Sequence, residues 1–282
     1  MIFASKYHAY GNDFLVLGAD QADDPADLAR AICDPHFGVG ADGCVLLEVG
    51  ISPPYRARIF NCDGSEAEMS GNGIRCAAAW LHHRRLAPGS RVEFLTLAGK
   101  RSCELISAQE PRWLYRSEMG EPAFEAEKIP FADAPPGTRV CGWTLKVAGW
   151  MVPVTLVSMG NPQCVVFVDE LPGDEEFRLL GSGLSTHPAF PAGTNVSFVR
   201  VDGPRAISIR IWERGVGPTF SSGTGCCGAA VAALNEQRVE SPVEVRTPTG
   251  TQQVEWVPGQ PVYLTGEACF IADVHWVGLG KQ

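Results

Sequence analysis

The 282-residue sequence has no excess of positive charge, no long apolar run and no clustered metal ligands. Lys and Arg total 23 against 32 Asp and Glu, a net charge of -9. Nucleic acid and anionic membrane surfaces call for basic patches, so neither is expected as a partner. No stretch approaches the 18 or so apolar residues of a membrane span. The start, "MIFASKYHAYGNDF", lacks a basic segment followed by an apolar core, so no export signal is expected. The ten cysteines include no Cys-x-x-Cys and no Cys/His cluster at zinc spacing, and no metal site is expected. Without an export signal, the simplest reading is a cytoplasmic protein with reduced thiols packed as small hydrophobes. Hydrophobic residues at 45% and charged residues at 20% are ordinary for a globular chain.

What the chain does have is itself, twice. "SGNGIRCAAAWL" at 70–81 matches "SGTGCCGAAVAA" at 222–233, and "RIFN" at 58–61 matches "RIWE" at 210–213, both at an offset of 152. "VEFLTLAG" at 92–99 and "VEVRTPTG" at 243–250 share V-E-x-x-T-x-x-G. "GNDFLVL" from 11 faces "GNPQCVVF" from 160. Four matches in one order at a nearly constant offset indicate two homologous halves related by a pseudo-twofold.

Each half has the same grammar. Alternating stretches such as "YRARIFN" and "AISIRIW" predict half-buried strands. A Ser-Gly-x-Gly turn follows, and then a helix. Ile74, Ala77, Ala78 and Leu81 take the i, i+3, i+4, i+7 positions in the first half, and Cys226, Ala229, Ala230 and Ala233 take them in the second. Further strands are predicted at "RVEFLTL", "RWLYRSEM", "QQVEWV" and "PVYLTG", and loops at 130–137 and 181–193. The expected fold is α+β: two pseudo-symmetric domains, each a mostly antiparallel sheet or barrel wrapped around a central helix. The first domain is expected over 1–118 with a return of the chain at 267–282, the second over 119–266.

A helix N-terminus carries free backbone N–H groups and the positive end of a dipole, so it favours an anion. If the pseudo-twofold brings both helix starts to one cleft, a ligand carboxylate is held from two sides and Ser70 and Ser222 lie on opposite faces of one carbon. Opposed acid and base groups invert a stereocentre, each alternating roles. A serine hydroxyl lies close to water, with a pKa of about 15.7, whereas a thiol lies near 8.5. That gap is worth about 10 kcal/mol, and a helix end supplies only about 0.3–2 kcal/mol. A pair of serines is therefore expected to transfer protons very slowly.

The sequence resembles the diaminopimelate epimerase family almost from end to end. The resemblance rests on "YGNDFLVL", "FGVGADG", "FNCDGSEAEMSGNGIRC", "VSMGNPQCVVFV", "TNVSFV" and "ERGVGPTFSSGTGCCGAAVAA". It implies a cofactor-independent amino-acid epimerase that interconverts LL- and meso-diaminopimelate, with a small amino acid as its ligand and a homodimeric assembly. The catalytic residues of the family are cysteines, and they fall at Ser70 and Ser222 here. Carried over residue by residue, the substrate-binding set is Asn12, Asn61, Gly71, Asn72, Asn161, Asn195, Glu213, Arg214, Gly223 and Thr224. Gln163 and Pro218 depart from the family's common His and Glu, and Gly43 is an alternative to Gln. The two serines leave open a non-catalytic amino-acid-binding homologue and a racemase or dehydratase of another amino acid. Read singly, each residue also has a plainer role: Asn12 as a turn former, Ser70 and Ser222 as helix caps, Glu213 and Arg214 as a surface pair.

Overall fold

The computed structural model describes residues 1–50 and 53–278. Residues 279–282, the end of the expected C-terminal return, lie outside the described residues. The chain divides into two compact units, Met1–Glu118 with Thr265–Gln282, and Met119–Leu264.

The first stretch of chain supplies β1 (Ile2–Ala9), β2 (Asn12–Gly18), α1 (Pro25–Ile32), β3 (Gly43–Glu48), β4 (Tyr55–Asn61), β5 (Glu66–Ala67), α2 (Gly71–His83), β6 (Arg91–Thr96), β7 (Gly99–Gln109) and β8 (Arg112–Gly120). The second supplies β9 (Trp143–Val147), β10 (Trp150–Ser158), β11 (Pro162–Phe167), α3 (Asp174–Ser185), β12 (Asn195–Gly203), β13 (Ala206–Glu213), β14 (Gly217–Thr219), α4 (Gly223–Asn235), β15 (Val243–Thr247) and β16 (Gly250–Glu255). The last strand, β17 (Val262–Trp276), returns to β1.

In the first unit the ladder runs β17–β1–β2–β3–β4–β6–β7–β8 and closes where β8 meets β17. β2–β3 and β4–β6 are parallel and the other registered pairs antiparallel. Closure removes free edges. α2 fills the barrel. Its residues are small or apolar almost all round, which is the pattern of a helix with no solvent face. Ile74, Ala77, Ala78 and Leu81 pack with Tyr7, Val16, Phe94 and Tyr115 in one cluster. A separate cluster under α1 joins Leu15, Leu17, Ile32, Leu46 and Phe60.

The second unit repeats the plan. Its ladder runs β9–β10–β11–β12–β13–β15–β16, with β11–β12 and β13–β15 parallel. α4 contacts β10, β11, β12 and β13, and its residues from Cys226 to Ala233 are buried. Gly228 permits this approach: a Cβ there would lie 2.8 Å from Cγ of Gln163.

One sequence expectation is corrected. The stretch 181–193, expected as a loop, is helical at its start: its first five residues end α3. Gly181 and Gly183 look like breakers and are packing residues instead. A Cβ on Gly181 would lie 3.0–3.1 Å from Trp212, and one on Gly183 would lie 2.5 Å from Val147 Cγ1. α1 carries no signal in the expected pattern. It is set by Asp24, whose carboxylate accepts from the backbone of Ala26 and Asp27, and by Pro25 at the first turn.

Candidate active site

Both central helices begin with the same local chemistry. Ser70 caps α2 at φ -137°, ψ 116°, and its hydroxyl oxygen accepts from Gly73 N at 3.1 Å. Ser222 caps α4 at φ -137°, ψ 126°, and accepts from Gly225 N at 3.3 Å. Glycine at the third helical position is what lets each serine sit so close. A Cβ on Gly73 would lie 3.3 Å from Ser70 Cβ, and one on Gly225 would lie 3.2 Å from Ser222 Cβ. Gly71 and Gly223 follow the caps, both buried. The capping role and the candidate catalytic position thus belong to the same two side chains.

The first unit brings Asn12 and Asn72 together. Asn72, 3% exposed, donates its amide to Asn12 Oδ1 at 3.0 Å. Arg75, one turn deeper in α2 and fully buried, donates to Asn72 Oδ1. Asn12 in turn donates to Asp42 Oδ2 at 2.7 Å. Asp42 is held by Asp13: Asp13 N donates to Asp42 Oδ2 at 3.0 Å, and Asp42 N donates to Asp13 Oδ1 at 2.9 Å. Lys6 completes the row, 2.7 Å from Asp13 Oδ2. Asn61 stands apart from this row. It ends β4 opposite Gly43, is exposed, and donates to Ser65 Oγ at 2.9 Å. Ser65 donates to Asp63 Oδ1 at 2.6 Å, and that bond, with a second from the Ser65 amide, holds the Asp63 carboxyl below its ordinary range.

The second unit brings Asn161 and Thr224 together. Asn161 donates to Thr224 Oγ1 at 3.4 Å, and the Thr224 and Ser222 hydroxyls are 3.4 Å apart. Gln163, 1% exposed, donates to Asn161 Oδ1 at 2.8 Å. Asn195 starts β12 beside β13, and its Oδ1 accepts from Arg214 N at 2.8 Å. Arg214 is exposed, with one guanidinium N–H on Ala192 O at 2.7 Å, so most of its donors face outward. Glu213 ends β13 and is half-buried. Asn195 is positioned from behind by α3: Ser185 Oγ donates to Thr194 O at 2.7 Å, and Thr194 N donates to Ser185 O.

Asp42 and Arg75 are absent from the sequence-derived set. Asp42 lies inside the quoted "FGVGADG" and Arg75 inside "GNGIRC", so motif membership was the available signal. The burial of Arg75 and the partners of both were not readable. Two buried thiols of the first unit are raised by their surroundings. Cys76, beside Arg75 on α2, is pushed above the usual thiol range by burial, with Arg75 opposing, and Cys103 is pushed up to about 11 by burial.

Solved structures share this fold at low sequence identity. A hydroxyproline epimerase from Agrobacterium vitis superposes with a TM-score of 0.69 at 17% identity, covering 99% of this chain and 93% of its own. A predicted epimerase from Pseudomonas aeruginosa gives 0.67 at 17% identity over the whole of both chains. These share its two-unit α+β fold. Sequence relatives narrow it. A diaminopimelate epimerase from Desulforudis audaxviator (strain MP104C) is 44% identical over 277 residues, 97% of this chain and 98% of that relative. One from Pelotomaculum thermopropionicum is 44% identical over 94% of this chain and 95% of its own. The family model for diaminopimelate epimerase matches residues 4–125 and 155–271, and the chain belongs to that family.

Proposed function

We propose that the chain is a cofactor-independent epimerase of LL- and meso-diaminopimelate, working by two-base proton transfer from positions 70 and 222, with turnover held low by serine at both. The observation that carries this reading is the matched pair of caps. Ser70 and Ser222 share backbone geometry and the same bond to the third helical N–H, at the positions where the family carries its reactive thiols. The ligand set supports it. Diaminopimelate carries two ammonium and two carboxylate groups. The α2 and α4 starts offer backbone N–H groups to a carboxylate, and Arg214 offers an outward-facing fork to a distal one. Glu213 and the amides of Asn61, Asn161 and Asn195 supply acceptors for the ammonium groups, and the Asn12 amide supplies an N–H donor.

Proton abstraction is the weak step. Each hydroxyl must give up its proton to act as base, and the roughly 10 kcal/mol deficit relative to a thiol is not recovered by a helix end. Binding needs no such ionisation, so recognition survives while exchange fails. We further place the protein in the cytoplasm as a homodimer acting on this small amino acid. The compartment reading rests on ten free cysteines, and the dimer on kinship with the family alone. None of the helices among the described residues is long and apolar enough to cross a membrane.

The test is solvent deuterium exchange at the α-carbon of diaminopimelate, run on this chain and on Ser70→Cys/Ser222→Cys. Exchange is expected to rise by about 10²–10⁴-fold in the double variant, the usual worth of a competent acid–base group. Tight binding with no exchange in either protein favours the second reading, an amino-acid-binding protein on the same scaffold. That reading is favoured by the intact caps, which leave the anion-holding geometry complete without a reactive group.

A further inference from the structure

The side-chain amides of Asn12 and Asn72 are bracketed by two groups that permit only one orientation. A carboxamide is nearly symmetric in shape, so an unconstrained Asn presents either its oxygen or its nitrogen to a ligand. Arg75 has donors only, so the Asn72 atom facing it is Oδ1. Asn72 Nδ2 therefore faces Asn12 and finds Oδ1 at 3.0 Å. Asn12 Nδ2 then faces Asp42 Oδ2 at 2.7 Å, and an ionised carboxylate accepts only. The donor-only end is fully buried; at the exposed acceptor-only end Asp13 N donates to the same Asp42 Oδ2, and Asp42 N donates to Asp13 Oδ1. The row is one-way: Arg75 to Asn72 to Asn12 to Asp42. Among the described residues the second unit carries a neutral set instead. There the equivalent pair is Asn161 and Thr224 at 3.4 Å, fed by the neutral amide of Gln163, and the position equivalent to Arg75 is Cys227.

We propose that Arg75, acting through Asn72, and Asp42 are positioning residues that fix Asn12 as an N–H donor toward the ligand, so that the first unit selects a carboxylate over a carboxamide. Each Asn uses one N–H within the row and keeps one. Asn12 is half-buried at the start of β2, and its remaining N–H is the one available to a ligand. Charge-assisted bonds at both ends make a flip costly, because it would set nitrogen against guanidinium and oxygen against carboxylate. The inference rests on the amino-acid ligand proposed above.

Two measurements separate the two claims. Isothermal titration compares LL-diaminopimelate with its diamide on the native chain, Arg75→Met, Arg75→Lys and Asp42→Ala. The acid-over-amide preference is expected to fall by at least about tenfold in Arg75→Met and Asp42→Ala, and to stay within about threefold of native in Arg75→Lys. Equal weakening of both ligands, with the preference unchanged, overturns the proposal and assigns both residues a merely structural role. The second measurement is hydrogen exchange of the Asn12 and Asn72 carboxamides by ¹⁵N NMR without ligand. Exchange is expected to quicken at both in Arg75→Met and at Asn12 in Asp42→Ala, and unchanged rates overturn the row. If the native chain binds neither compound, the ligand reading fails while the exchange data still decide the row. If Arg75→Met does not fold, Arg75→Lys and Asp42→Ala carry both comparisons.

Discussion

One atom separates a serine from a cysteine, yet at positions 70 and 222 that atom decides whether a helix cap can also be a base. The oxygen accepts Gly73 N or Gly225 N well, because a hydroxyl is a favoured cap. It does not readily ionise. Replacing either serine with alanine is expected to remove the cap and cost about 0.5–2 kcal/mol in urea unfolding, whereas cysteine at both is expected to restore exchange without comparable loss of fold. The serines were legible in the sequence because Ser-Gly-x-Gly occurs twice at one spacing. Arg75 was not. A charged residue in a helix reads as surface, and nothing local announces that this one lies inside a barrel with Asn72 as its acceptor.

Elements were legible where periodicity was strong. The two central helices and the alternating strands follow directly from small and apolar spacing. α3 was not, because Gly181 and Gly183 carry the same letter whether glycine breaks a helix or clears room for Trp212 and Val147. The same ambiguity makes α4 testable. Gly228→Ala would press a methyl to within 2.8 Å of Gln163 Cγ, so it is expected to destabilise by about 1–3 kcal/mol in urea unfolding. Gln163→Gly in the same chain removes the obstructing atoms, Cβ at 2.9 Å included. A favourable coupling of about 0.5–3 kcal/mol between the two changes is expected, and strict additivity would refute the packing argument.

At the scale of the whole molecule, charge sets the pH limits. Arg58 forks Glu66 with two 2.8 Å bonds and holds its carboxyl below the ordinary range. Ser208, Arg200 and Arg246 hold Asp202 low against the opposing push of burial. The Asp34 carboxyl is lowered by the backbone N–H groups of Phe37 and His36. A depressed carboxylate binds fewer protons folded than unfolded. Its stabilisation is therefore present above the unfolded value near pH 4 and is lost as pH falls through the folded one. Melting temperature is expected to hold from pH 7 to about 5 and drop below 4. Glu66→Gln is expected to be less stable than native at pH 7 by under about 1 kcal/mol, with the difference vanishing by about pH 2.

The ladder of the first unit closes with strands from opposite ends of the chain. β1 pairs with β17 from Ile2 against Trp276 to His8 against Cys269, and Arg84 and Ser5 both bond Asp273. On the ribosome, β1 must wait for a partner strand made much later, with 268 positions separating Ser5 from Asp273. The later-synthesised unit holds a nearly contiguous sequence and has no such wait. The order of completion is therefore the reverse of the order of synthesis, and the unfinished barrel is the stage at which a nascent chain most needs a chaperone.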